Sequence, residues 1–224
     1  MDEEFMKEMQ RKFGEDLEMR FLETKIEVRE EERNGITGPV MFGYAAVFDK
    51  LSEDLGGFRE QVAKGAFAEA ISNDDVRALF NHDPNYVLGR SKAGTLRMQE
   101  DDHGLYVEIT PPDTRYARDL LTAMKRGDIN QMSFSFRVKP GGQDWARDDN
   151  GQVVRTLKRV RLFDVSPVTF PAYPQTAIAQ RSMQEFLKTI VPPEPDLSDL
   201  DVRAKQLDTL DLQTRLFQQR LKSR

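Results

Sequence analysis

Apolar residues recur mostly at every second position, in short runs cut by glycine, proline and aspartate. That spacing predicts strands before helices. Strand-like runs begin at Thr24–Val28 and continue at Val40–Phe48 after an Asn34-Gly35 turn signal, then at Phe58–Val62 and Val76–Phe80. Gly43 and Ala45-Ala46 leave room there for close backbone approach. Tyr86–Leu88, Thr95–Gln99 and Leu105–Ile109 follow, the last two joined by an expected hairpin turn at Asp101-Asp102-His103-Gly104. The cleanest alternation is Gln131–Val138, which sends Met132, Phe134, Phe136 and Val138 to one face and Ser133 and Ser135 to the other. Lys139–Gly151, rich in glycine and aspartate, is expected to be a loop with Trp145 as a packing anchor. Val153–Val165 predicts one long, charged edge strand, leading into an extended, irregular piece from Ser166 to Pro174 that carries three prolines.

Helical spacing is rarer. Asp113–Arg126 is the clearest case: Asp113 or Thr114 caps it, Ala117, Leu120, Leu121 and Met124 form one stripe, and Gly127 stops it. Gly65–Ile71 and Thr176–Ile190 are expected to be helices as well, and Asp54–Gly57 a loop. Residues 1–22 place Phe5, Met6, Met9, Phe13, Leu17 and Phe21 three or four apart among many charges, as in an amphipathic helix or a disordered arm that docks elsewhere. Val191-Pro192-Pro193-Glu194-Pro195 reads as a stiff linker and Ser198–Leu221 as an amphipathic helix without a core of its own. The expected organisation is therefore an acidic arm (1–22), a central domain (23–180), a helix end with a Pro-rich linker (181–199) and a C-terminal helix (200–224). The expected class is α+β, a small, mostly antiparallel β-barrel or open sheet with flanking helices and helical extensions.

Composition narrows the partners. No apolar run approaches the roughly 20 residues that span a bilayer, and the start Met1-Asp2-Glu3-Glu4 lacks the basic residues of a secretory signal, so no membrane partner is expected. The absence of cysteine excludes disulfides, thiol nucleophiles and thiolate metal sites, and fits a reducing, cytoplasmic setting. Residues 1–33 hold 7 basic and 12 acidic side chains, the whole net charge of −5, leaving a balanced body. An acidic arm on a neutral body argues against nucleic acid as the main partner.

Candidate chemistry sits in two stretches that must meet in space. Leu79-Phe80-Asn81-His82-Asp83-Pro84 puts a histidine at the end of a buried run, and the Gln131–Val138 strand displays serines. A serine on a rigid strand with a histidine able to take its proton is the minimum kit for nucleophilic hydrolysis. Of the two histidines, His103 falls at a turn tip, where an exposed turn residue is the simpler reading. Spacing does not separate Ser133 from Ser135, and either would serve equally well as an ordinary strand hydroxyl. A third group must orient the histidine. Asp164 lies inside the apolar run Leu162-Phe163-Asp164-Val165, an unusual place for an unpaired acid, whereas Asp83, adjacent to His82, suits the cap of an Asp-Pro turn. Two histidines without cysteine make a zinc site improbable, no glycine loop cradles phosphate, and no cofactor is expected.

From Gly43-Tyr44-Ala45-Ala46-Val47-Phe48 through Gly65-Ala66-Phe67, Val76–Asp83, Val87-Leu88-Gly89-Arg90, Gly104-Leu105-Tyr106-Val107 and Met132–Phe136 to Asp164–Tyr173, the chain resembles the tailed-phage prohead proteases. The resemblance runs in order over about residues 24–180. It implies a fold like the herpesvirus assemblin protease, with His82 on the catalytic histidine and Ser133 on the nucleophile. Ser135 stands where phage members have glycine in Ser-x-Gly-Phe, which favours Ser133. Assemblins carry a third histidine after the serine; this chain has no histidine beyond His103, and Asp164 takes the orienting role instead. The assemblin oxyanion arginines have no counterpart here. The implied substrates and partners are the scaffold region of the major capsid protein and the protease itself, with self-association, inside the procapsid assembling in the bacterial cytoplasm. Autocleavage is expected near residues 181–199 or in the N-terminal arm. The competing expectation is a non-enzymatic internal scaffold protein of the procapsid.

Overall fold

The structure, a computed structural model, describes residues 9–11, 14–22, 26–33, 36–170 and 177–190. The expected linker and C-terminal helix lie outside the described residues. Contacts divide the chain into two units, residues 1–184 and 185–224. Of the second, residues 185–190 are described, and they are helical.

The first half contains strands β1 (Glu18–Leu22), β2 (Glu27–Arg33), β3 (Ile36–Val47) and β4 (Arg59–Val62), helix α1 (Ala68–Asn73), and strands β5 (Arg77–Phe80), β6 (Asp83–Arg90), β7 (Leu96–Glu100) and β8 (Gly104–Ile109). Helix α2 (Arg115–Arg126) is followed by β9 (Gln131–Val138), β10 (Gln143–Arg147), β11 (Val153–Leu157), β12 (Val160–Val168) and helix α3 (Ala177–Ile190). Among the described residues these strands form three sheets, in the orders β1-β9-β12-β5-β6, β2-β3-β8-β7 and β10-β11-β4. Neighbours are antiparallel except β12–β5 and β11–β4. The class is α+β and mostly strand, as expected. The barrel is not: the ladders stay separate, so the site is built on an open five-stranded sheet.

Three local expectations also change. Residues 9–11 are helical, but the helical pattern read through Phe21 gives way to strand β1, because β9 offers an open edge from Met132 to Phe136 that pairs with Glu18–Leu22. The run Val153–Val165 is two strands, since the chain turns at Lys158-Arg159, where both backbone N–H groups donate to Gly142 O. Its second half, β12, is the central strand of the large sheet rather than an edge. The expected loop after Lys139 contains β10, which carries Trp145 edge-on to Phe58 with ring centres 5.0 Å apart.

The core forms where the expected stripes converge. The apolar face of β9 (Met132, Phe134, Phe136) is buried, and Phe134 meets Phe67 edge to face at 5.5 Å. Helix α2 buries Ala117, Leu120, Leu121 and Met124 and ends at Gly127, whose φ of 85° suits glycine. In the β7–β8 hairpin a Cβ on Gly104 would stand 2.0 Å from Ala46 O, so β3 and β8 approach as closely as they do only because that residue is glycine. Phe134 holds the serine strand to this core. Phe134→Ala is expected to cost about 3–5 kcal/mol of stability, read as a lower midpoint in urea unfolding.

Candidate functional site

His82 arrives on a strained turn. β5 and β6 form a hairpin in which Phe80 pairs with Asp83, leaving Asn81 and His82 as the two-residue tip. Their φ values are 54° and 58°, the positive pair that marks a type I′ turn. Asparagine tolerates that conformation, but the second position normally takes glycine, so histidine there is strained on the order of 1 kcal/mol or more. The tip is stitched to the end of β12: Asn81 N donates to Pro167 O (3.0 Å) and Thr169 N to Asn81 Oδ1 (2.8 Å). Asp83 accepts from Asn85 N (2.8 Å), the turn-capping role expected of it. Pro84 sits in β6, at the sheet edge, where a missing donor is tolerated.

The serines and the acid come from the pairing of β9 with β12. Leu162 lies opposite Phe136, but a bulge at Phe163 shifts the register, so that Asp164 lies opposite Ser135 and Ser166 opposite Ser133. In an unbroken ladder the residue two beyond Leu162 would stay on the apolar face; the extra residue moves Asp164 to the serine face. Four polar side chains thus meet on one side of two adjacent strands, beneath His82.

The contacts are short and directional. His82 Nδ1 lies 2.6 Å from Asp164 Oδ1, and His82 Nε2 lies 2.7 Å from Ser133 Oγ. Ser166 Oγ donates to Asp164 Oδ1 (2.6 Å), and Ser135 Oγ donates to Asp164 Oδ2. Burial alone would push the Asp164 carboxyl up, but His82 and the hydrogen bonds from His82, Ser135 and Ser166 outweigh it and hold it below the ordinary range. With Asp164 ionised, Nδ1–H donates to it, which leaves Nε2 as an acceptor facing the Ser133 hydroxyl. The Ser133 hydroxyl carries one proton and has a second acceptor in reach, Arg20 O of β1 at 3.0 Å. Ser133, Ser135 and His82 are 0% exposed and Asp164 is 3% exposed.

Ser133, His82 and Asp164 are therefore brought together. Ser135 faces the acid instead of the histidine, and His103 lies at an exposed hairpin turn against Tyr44. Two members of the site went unread in the sequence. Ser166 shares the parity of Asp164 in β12, a signal that alternation alone could have supplied; the Arg20 carbonyl carries no side-chain signal.

A buried Ser–His–Asp hydrogen-bonded chain on a mostly β, α+β scaffold is the arrangement of acyl-transfer hydrolases. Comparison narrows that class. A family model described as caudovirus prohead serine protease matches residues 24–189, and the chain belongs to that family of serine proteases. The structure of the bacteriophage T4 capsid assembly protease gp21 is similar in fold, with a TM-score of 0.50 at 12% identity over 68% of this chain and 97% of that one. No curated protein matches the chain. Among the described residues no helix is long and apolar enough to cross a membrane.

The lowered carboxyl sets a pH dependence with a definite sign. A carboxyl whose folded pKa lies below its unfolded value adds stability above the unfolded value, lost as pH falls through the folded one. Ser135→Ala and Ser166→Ala each remove a hydrogen bond to the ionised form. Each is expected to cost about 1.5–3 kcal/mol at pH 7, with the difference from wild type shrinking below about pH 4. Urea unfolding at pH 7 and pH 3 checks this.

Proposed function

We propose that this chain is the maturation endopeptidase of a phage procapsid, cutting the scaffold region of the capsid protein and itself. The continuous contact from Asp164 through His82 to Ser133, in a chain of the prohead serine protease family, carries the reading. Ser133 is the nucleophile, His82 the general base and then acid, and Asp164 the residue that fixes the imidazole tautomer and stabilises the imidazolium. Ser133 Oγ attacks a peptide carbonyl as its proton passes to His82 Nε2. His82 returns the proton to the leaving amine, and water, activated by His82 in turn, releases the acyl group. The work takes place in the host cytoplasm, inside the assembling procapsid, and the major capsid protein is the principal partner. The similarity in fold to the T4 capsid assembly protease supports this reading.

Wild type, Ser133→Ala, Ser135→Ala, His82→Ala and Asp164→Asn, each co-expressed with the capsid protein and followed by intact mass, form the test. Trimming is expected with wild type and Ser135→Ala, and none with Ser133→Ala or His82→Ala. Asp164→Asn, which leaves the wrong tautomer, is expected to slow cleavage by on the order of 10⁴-fold. Trimming that survives Ser133→Ala defeats the assignment. Wild type that trims nothing, yet enters shells, leaves the non-enzymatic scaffold role in its place.

A further inference from the structure

Strand β1 lies along the open edge of β9, and its backbone is what the Ser133 hydroxyl meets outside the His82–Asp164 system. An extended segment added to a sheet edge is a common way of presenting a peptide, with backbone pairing for affinity and alternate side chains for specificity. The alternate side chains of β1 are Glu18 and Arg20, and both are buried.

Their partners come from the three-stranded sheet. Arg20 grips Glu60 of β4 through Nε–Oε1 (2.7 Å) and Nη2–Oε2 (3.0 Å). Arg155 of β11 grips Glu18 through Nη1–Oε2 (2.7 Å) and Nη2–Oε1 (2.8 Å). Arg155 Nη1 also reaches Glu60 Oε2 (2.9 Å), and Arg20 Nη2 reaches Glu18 Oε2 (2.8 Å), closing a neutral ring of four charges. Exposures run from 1% to 6%. A strand that merely completed a sheet would need no such ring, since apolar residues of similar volume are often as stable as buried ion pairs. What the ring adds is register: two two-pronged grips, on side chains two residues apart, decide which carbonyl faces Ser133.

We propose that β1 is a built-in substrate strand and that Glu60 and Arg155 form a charged subsite selecting peptides with glutamate two residues before an arginine at the bond cut. The inference rests on the serine protease reading above. In this chain the selected bond is Arg20–Phe21, because the carbonyl in contact with Ser133 is that of Arg20. The Ser133 proton moves to His82 Nε2 while Oγ bonds to the Arg20 carbonyl carbon. The Arg20–Phe21 C–N bond then breaks, and the Phe21 nitrogen takes the proton from His82 and leaves as an α-amine. Water gives a proton to His82 and its oxygen to the acyl carbon, freeing the Arg20 carboxylate; His82 returns the proton to Ser133. Glu27-Val28-Arg29 and Glu31-Glu32-Arg33 repeat the spacing, but both lie within β2, paired with β3.

Full-length wild type and Ser133→Ala, compared by intact mass and N-terminal sequencing, supply the first readout. Wild type is expected to gain an N-terminus at Phe21, and Ser133→Ala to keep residues 1–20. The second readout uses a synthetic peptide of residues 14–26 and its Glu18→Gln and Arg20→Gln forms. Each substitution is expected to lower kcat/KM by about tenfold or more, as losing a charge-assisted grip does. In Glu60→Gln enzyme the discrimination at Arg20 is expected to collapse while that at Glu18 persists, a coupling that a purely structural role for Glu60 does not produce. Wild type whose Ser133 is labelled by a fluorophosphonate but which keeps residues 1–20, or is cut elsewhere in the arm, overturns the inference and spares the protease reading. Equal turnover of all three peptides overturns the subsite. Wild type that neither takes the label nor cleaves anything overturns both.

Discussion

A carboxylate with 3% of its surface exposed must be met by donors or give up its charge, and the environment of Ser133 follows from how Asp164 meets that demand. Three donors reach it: a ring N–H of His82 and the hydroxyls of Ser135 and Ser166. Each comes from a different constraint. Ser135 is placed by the alternation of β9, Ser166 by that of β12, and His82 by a hairpin tip tied to the end of β12. The bulge at Phe163 is the element that makes them agree, because without it Asp164 would lie opposite Phe134, on the apolar face. The strain of histidine at a positive φ is tolerated in the same way. Hydrogen bonds on Asn81 fix the tip from outside, and the charge-assisted bond to Asp164 fixes the ring from inside.

Much of this could be read from residue order, and what escaped has a common cause. The serine face of Gln131–Val138, the stripe and stop of α2, the delivery of His82 by a buried run and the oddity of an acid between Phe163 and Val165 are all local patterns, and local patterns survive in a sequence. Whether a strand is central or at an edge is decided by partners far along the chain. Hence the run Val153–Val165, charged at Arg155, Lys158, Arg159 and Arg161, reads as an edge although its second half, β12, is the middle strand. The open sheets in place of a barrel have the same origin, since closure depends on the shear between distant strands. The N-terminal arm is the sharpest case. Glu18 and Arg20 look like solvent-facing helix charges until Glu60, 40 residues from Arg20, and Arg155, 137 residues from Glu18, turn them into buried partners.

Ser133 consequently stands between two ladders of different character. Toward β12 it lies opposite Ser166, in a pairing that also places Asp164 and so fixes the hydrogen-bonded chain to His82. Toward β1 it lies opposite Phe21, in a pairing that fixes which backbone carbonyl it meets. The first ladder lies inside the sheet; the second is its outermost, and β1 is joined to the three-stranded sheet by a ring of charges. Asp164's contacts with His82, Ser135 and Ser166 do not involve β1, whereas withdrawing β1 would expose the N–H and C=O groups of the β9 edge and remove Glu18 and Arg20 from the Glu60–Arg155 pair. A sheet edge in that condition favours another extended segment, and the paired charges favour one that brings its own acid and base in the same spacing. The proposed exchange of β1 fits this division: β9 holds Ser133 on one side against hydrogen bonds inside the sheet and on the other against a single outer strand.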